Sequence, residues 1–95
     1  MERKPVCTRD VTVNLENGLH LGPSAQIVQI TQRYGCELRI RKGDRTVDGS
    51  SMLDLLTLAA EHGTLLNLET RGDRAQEALD ALTTLFEKNF EIEGT

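Results

Sequence analysis

Val11, Val13 and Leu15 alternate with polar neighbours, the period of a strand that buries one face, and Asn17-Gly18 marks the turn that ends it. From Pro23 the period lengthens. Ala25, Ile27, Val28, Ile30 and Tyr34 fall on one helical face, with Pro tolerated in the first turn and Gly35 as terminator, so a helix runs to about Arg33. Cys36, Leu38 and Ile40 alternate again, Gly43-Asp44 signals a hairpin turn, and Thr46 to Asp48 returns as a short strand.

Ser51 and Asp54 then stand at capping-box spacing, which predicts a short helix to about Ala60 with His62-Gly63 as its C-terminal cap. Thr64, Leu66, Leu68 and Thr70 read as a strand, with Leu65 adding to its burial. Asp73 with Gln76 three residues on suggests an N-cap, and Ala75, Ala78, Leu79, Leu82, Leu85 and Phe86 recur at three and four, the clearest amphipathic pattern of the chain. The order βαββαβα implies an α+β open-faced sandwich: a four-stranded antiparallel sheet with three helices on one face. Thr12, Asn14, Glu37, Arg39 and Arg41 would line its open side.

Composition narrows the function. Ninety-five residues suit a single domain, 1–95, and leave little room for a deep substrate cleft. The only aromatic side chains are Tyr34, Phe86 and Phe90, too few for stacking on single-stranded nucleic acid. A net charge of -4, with no dense run of Lys and Arg, argues against nucleic acid as a partner. No apolar stretch approaches the roughly 20 residues of a membrane span, and the charged start of the chain has no apolar core, so a cytoplasmic protein without membrane insertion is expected. Cys7 and Cys36 have no metal-ligand spacing with His20 or His62, so neither a metal site nor a cofactor is expected, and free, mostly buried thiols are the default.

The segment that carries chemistry is Gly18-Leu19-His20-Leu21-Gly22-Pro23-Ser24. It places a histidine between a strand-ending turn and the first turn of a helix. Orphan amides and the helix dipole favour an anion there, and a neutral imidazole is a nucleophile, so a phosphohistidine could be cradled by the amides of Leu21 and Gly22. On spacing alone, an exposed histidine that merely precedes a helix is the commoner arrangement.

Over nearly its whole length the chain resembles the HPr family, the small phosphocarriers of the phosphoenolpyruvate-dependent sugar phosphotransferase system. The family pattern is Gly-hydrophobic-His-Ala-Arg-Pro-Ala, then a Ser opening the second helix, within the same order of elements. Gly18, Leu19, His20 and Pro23 match the first motif, and Ser50-Ser51-Met52 matches the second. The resemblance implies that His20 takes a phosphoryl group from enzyme I and passes it to a sugar-specific or regulatory component. It also implies that Ser51 is a regulatory serine for an HPr kinase, that Met52, Leu53 and Leu56 dock partners, and that the protein is a monomer. A plain N-cap worth about 1 kcal/mol accounts for Ser51 equally well. Leu55 and Leu58 share its helix, so only part of that apolar set can face outward.

The chain departs from the pattern at Gly22, where the family carries Arg, and at Ser50, where Lys is common. Both positions lose a cation that would meet phosphoryl oxygens or acidic partner surfaces. The expectation is therefore a divergent phosphocarrier of altered or regulatory efficiency, itself a substrate of larger enzymes and not an enzyme. The competing readings are a phosphotransfer-inactive HPr-like interaction module and a small-molecule-sensing domain of the ACT type. The extra C-terminal helix and the Gly-Leu-His motif count against the ACT reading. His62 is expected only as a helix cap, Cys36 as a small core residue, and the charged hairpin around Arg39, Arg41, Lys42 and Arg45 as a solvated surface.

Overall fold

The structure, a computed structural model, describes residues 4–91. Its elements are β1 (Val6–Thr12), α1 (Leu21–Tyr34), β2 (Glu37–Lys42), β3 (Arg45–Asp48), α2 (Met52–Thr57), β4 (Leu65–Arg71) and α3 (Ala75–Glu87). The strands form one sheet in the order β1-β4-β2-β3, antiparallel at every pairing. Leu66, Leu68 and Thr70 of β4 alternate inward and are fully buried, as are Leu38 and Ile40 of β2, and the helices cover this face with Ile27, Leu55, Leu79 and Leu82. The predicted α+β open-faced sandwich is the observed fold, and Thr12, Asn14, Glu37, Arg39 and Arg41 are exposed as expected.

Boundaries differ where a distant partner decides them. β1 stops at Thr12, five residues before the Asn17-Gly18 turn, because β4 offers it a partner only as far as Leu65. The chain stays tied beyond that point, with Val13 N–H donating to the Thr64 carbonyl at 2.9 Å and Gly63 N–H to the Val13 carbonyl at 2.7 Å. α1 opens two residues earlier than Pro23, and Gly35 ends it in the left-handed region as expected. α2 ends at Thr57 instead of about Ala60. The Lys42 ammonium donates to the carbonyls of Leu58 at 3.2 Å and Ala59 at 3.0 Å, so the orphan acceptors of this helix end are met by a side chain from the hairpin. His62 is exposed and caps nothing, while Gly63 at φ +88 serves the turn into β4.

Two further expectations are corrected. Leu65 is 61% exposed, because the alternation that buries Leu66 and Leu68 turns it to the open face. Arg74, not Asp73, is the N-cap of α3, with no capping hydrogen bond from its side chain. That side chain lies 4.5 Å over the Tyr34 ring and pairs with Glu77 at 2.8 Å, pinning the start of α3 to the end of α1. Cys7 and Cys36 are free and half-buried, less enclosed than expected, and burial pushes the Cys36 thiol up.

Candidate functional site

His20 is held by what precedes it. Gly18 adopts φ +70, and a side chain there would collide with the Ala60 carbonyl oxygen, so both the backbone angle and the space demand glycine. Leu19 is buried and its N–H donates to that same carbonyl at 2.9 Å, while His20 N–H donates to the Gly18 carbonyl at 3.0 Å. The loop is therefore seated on the segment between α2 and β4, and Lys42 steadies that segment from the other side through Ala59. With Leu19 as the anchor, the next residue faces outward, and the His20 imidazole is exposed.

His20 is itself the N-cap of α1, in extended conformation, and its carbonyl accepts the Ser24 N–H at 3.1 Å. No side chain caps this end, no acidic residue stands in the first turn, and Pro23 has no N–H to offer. The amides of Leu21 and Gly22 have no acceptor within the helix, so positive partial charge gathers beside the imidazole. A side chain built at Gly22 would meet only the His20 ring, at 3.7 Å, which leaves open space over this end of the helix. Ser24 is fully buried where the HPr pattern has Ala, and its Oγ has no hydrogen-bond partner.

α2 packs against α1, and its own start carries a side-chain cap. The Ser51 Oγ accepts the Asp54 N–H at 3.3 Å, and an Asp54 carboxylate oxygen accepts the Asp48 N–H at 3.2 Å. Asp48 in turn accepts the Ser50 hydroxyl at 2.7 Å and the Ser50 N–H at 2.9 Å, which hold its carboxyl below the usual range. The leucines of this helix, undivided by their spacing, are divided by packing: Leu55 and Leu58 are buried, Leu53 is 76% exposed, Leu56 is at the edge of exposure and Met52 is half-buried. Leu21, read from sequence only for its amide, also presents an exposed side chain at the start of α1. Its exposure is set by how the chain turns from the loop into α1, which the local spacing does not give. The Ala60 seat lies some 40 residues downstream, and no local pattern announces it.

Among the described residues no group of His, Cys, Asp and Glu is arranged to hold a metal ion, and no helix is long and apolar enough to cross a membrane. The geometry defines a small α+β protein that presents one histidine on its surface, beside free helix amides. The chain belongs to the HPr family: the family model described as PTS HPr component phosphorylation site matches residues 7–88. Phosphocarrier protein HPr of Pseudomonas aeruginosa is 37% identical over 83 residues, which cover 86% of this chain and 92% of that one. HPr of Thermoanaerobacter tengcongensis superimposes with a TM-score of 0.86 at 26% identity, covering 92% and 98% of the two chains. Crh of Bacillus subtilis, solved as an intertwined, domain-swapped dimer, gives a TM-score of 0.71 at 30% identity, covering 86% and 94%. Membership places the chain among the phosphocarriers of the phosphotransferase system, proteins that carry a phosphoryl group and are not enzymes. The ACT-type reading is thereby set aside.

Proposed function

We propose that His20 accepts a phosphoryl group from phosphorylated enzyme I and hands it to a downstream component of the phosphotransferase system in the cytoplasm. The observation that carries this reading is the exposed imidazole at the uncapped start of α1, next to the free amides of Leu21 and Gly22. The lone pair of a ring nitrogen forms the new P–N bond while the bond from phosphorus to the donor breaks, and its electron pair leaves with the donor. The two amides take phosphoryl oxygens and the helix dipole adds to their attraction. No cofactor is needed for this step.

Gly22 sets the efficiency. An Arg there would meet the phosphoryl oxygens with charge-assisted hydrogen bonds, and losing such a contact costs about 2 to 4 kcal/mol of transition-state stabilisation, roughly a hundredfold or more in rate. A carrier so limited fits a reduced or regulatory branch better than bulk sugar uptake. Met52, Leu53 and Leu56 form the docking surface in this proposal, the carrier is a monomer, and Ser51 is the target of an HPr kinase. A phosphoryl group on Ser51 would stand at the start of α2, where its oxygens can take the Asp54 amide that the hydroxyl now accepts.

The experiment is incubation with enzyme I and phosphoenolpyruvate, with any adduct located by intact mass and fragmentation. An acid-labile phosphoryl group on His20 is the expected result. No adduct while the enzyme I is active overturns the carrier reading and leaves the phosphotransfer-inactive interaction module, which the missing Arg at Gly22 favours. Light scattering on the same sample separates the monomer from a swapped dimer.

A further inference from the structure

The two chain segments that surround His20 carry charge of one sign only. Residues 13–24 contain a single charged side chain, Glu16, and residues 46–64 contain three, Asp48, Asp54 and Glu61. Neither segment contains Lys or Arg, and with His neutral their formal charge of -4 equals that of the whole chain, so the remainder is balanced overall.

Their placement is set by contacts already described. Glu61 is exposed beside Ala60, the seat of the His20 loop, and Glu16 is exposed two residues before Gly18. Asp54 stands in the first turn of α2 next to the exposed Leu53. Asp48 has Arg39 opposite it in register, with no ion pair between them among the described residues. Lys42 comes to this region from β2, held on the carbonyls of Leu58 and Ala59 next to the Ala60 seat. The same two segments carry the exposed Leu21, Leu53 and Leu56.

We propose that this pole docks a protein surface of aliphatic side chains rimmed by Arg and Lys, and that a cation of that partner meets the phosphoryl oxygens that this chain holds only with amides. The proposal rests on the reading of His20 as acceptor and names the chemistry of what it meets. Opposite potentials steer encounter and suppress acidic surfaces, and the effect weakens as salt screens it. A phosphoryl group brings about two further negative charges to a region whose bonded cation, Lys42, is engaged on carbonyls, so the compensating charge comes with the partner.

The probe is a synthetic amphipathic helical peptide of Leu and Lys, titrated into the full-length protein and followed by amide chemical shifts, beside a twin with Glu in place of Lys. The Lys peptide is expected to shift the amides of residues 18–24 and 51–56, to bind at least tenfold more weakly when salt rises from low to several hundred millimolar, and to bind tighter after His20 is phosphorylated with phosphoramidate. The Glu twin leaves those amides unmoved. Glu16→Lys with Glu61→Lys, both at exposed positions, weakens the Lys peptide at least tenfold while the rest of the spectrum holds. Equal binding of the twins, shifts confined to the open face of the sheet, or an unaffected double variant overturns the proposal. Unchanged affinity after phosphorylation overturns the role given to the partner's cation. Peptide binding does not require transfer, so a chain that enzyme I leaves unmodified yet still selects the Lys peptide overturns the carrier reading alone.

Discussion

At the start of α2 the Ser51 hydroxyl accepts the Asp54 amide, and the carboxylates of Asp54 and Asp48 accept the amides of Asp48 and Ser50 just ahead of the helix, so a cap and two acidic side chains crowd this end. At the start of α1, which packs against it, no side chain caps, no acid stands in the first turn, and a proline and a glycine occupy positions where a carboxylate could have sat. Both helices face the same deficit of acceptors at their first turn. One caps its third amide with the Ser51 hydroxyl and sets the Asp54 carboxylate in its first turn, where the helix dipole favours negative charge. The other leaves it to water or to an anionic group, and it is the one that carries the histidine. The difference separates His20 from Ser51: beside the first, amides and the helix dipole meet an anion with no acid nearby in the first turn, while the second already serves as a cap with the Asp54 carboxylate beside it.

Four measurements would break or sharpen this contrast. The largest effect is expected from Gly22→Arg, assayed with phosphoramidate, a donor that brings no protein surface: a charged side chain over the free amides should raise the rate of His20 phosphorylation about a hundredfold. An unchanged rate would mean that Gly22 is not the weak point of the open start. Next is Gly18→Ala, which forces a side chain against the Ala60 carbonyl at φ +70; a loss of about 2 kcal/mol and a melting temperature roughly 8 to 16 °C lower are expected by calorimetry.

Ser51→Ala should cost about 1 kcal/mol, or roughly 4 to 8 °C, without changing His20 phosphorylation, as befits a closed helix start. A fall in phosphorylation would instead couple the two starts. The smallest effect is in acid. The Asp48 carboxyl is held below the usual range by Ser50, so its contribution is complete above the ordinary carboxylate range and is lost as pH falls through the lower folded value. The Ser50 amide shift, followed below about pH 5, should report that loss, while near neutrality stability stays flat with respect to this group.

Much of the fold was legible because two periods dominate the chain. Val11 and the Val13 just beyond β1, Leu38 and Ile40, and Leu66 and Leu68 alternate with residues of the open face, and Ala75 to Phe86 repeats at helical spacing, so type and order of element follow from pattern alone. The misplacements share a cause. β1 ends where β4 ceases to pair with it, α2 ends where Lys42 reaches its carbonyls, and the side chain of Arg74 is drawn to Tyr34. Each depends on a residue far along the chain, which local propensity does not register. At the site, His20 and the amides of Leu21 and Gly22 were readable from the Gly-Leu-His segment. Leu21 as an exposed apolar side chain, and Ala60 as the seat of the loop, were not.

By itself the sequence determined the βαββαβα order, the histidine at a helix start, the absence of Arg at Gly22 and the sign of the net charge, because each is a matter of residue type and spacing within a dozen positions. Tertiary structure alone decided which leucines of α2 are buried, why residue 18 must be glycine, and that the His20 loop sits on Ala60, which brings the acidic segments 13–24 and 46–64 together. Those are properties of segments brought together from opposite sides of the sheet. A contact between residues 40 positions apart is set by the packing of the whole core and not by the pattern on either side of it.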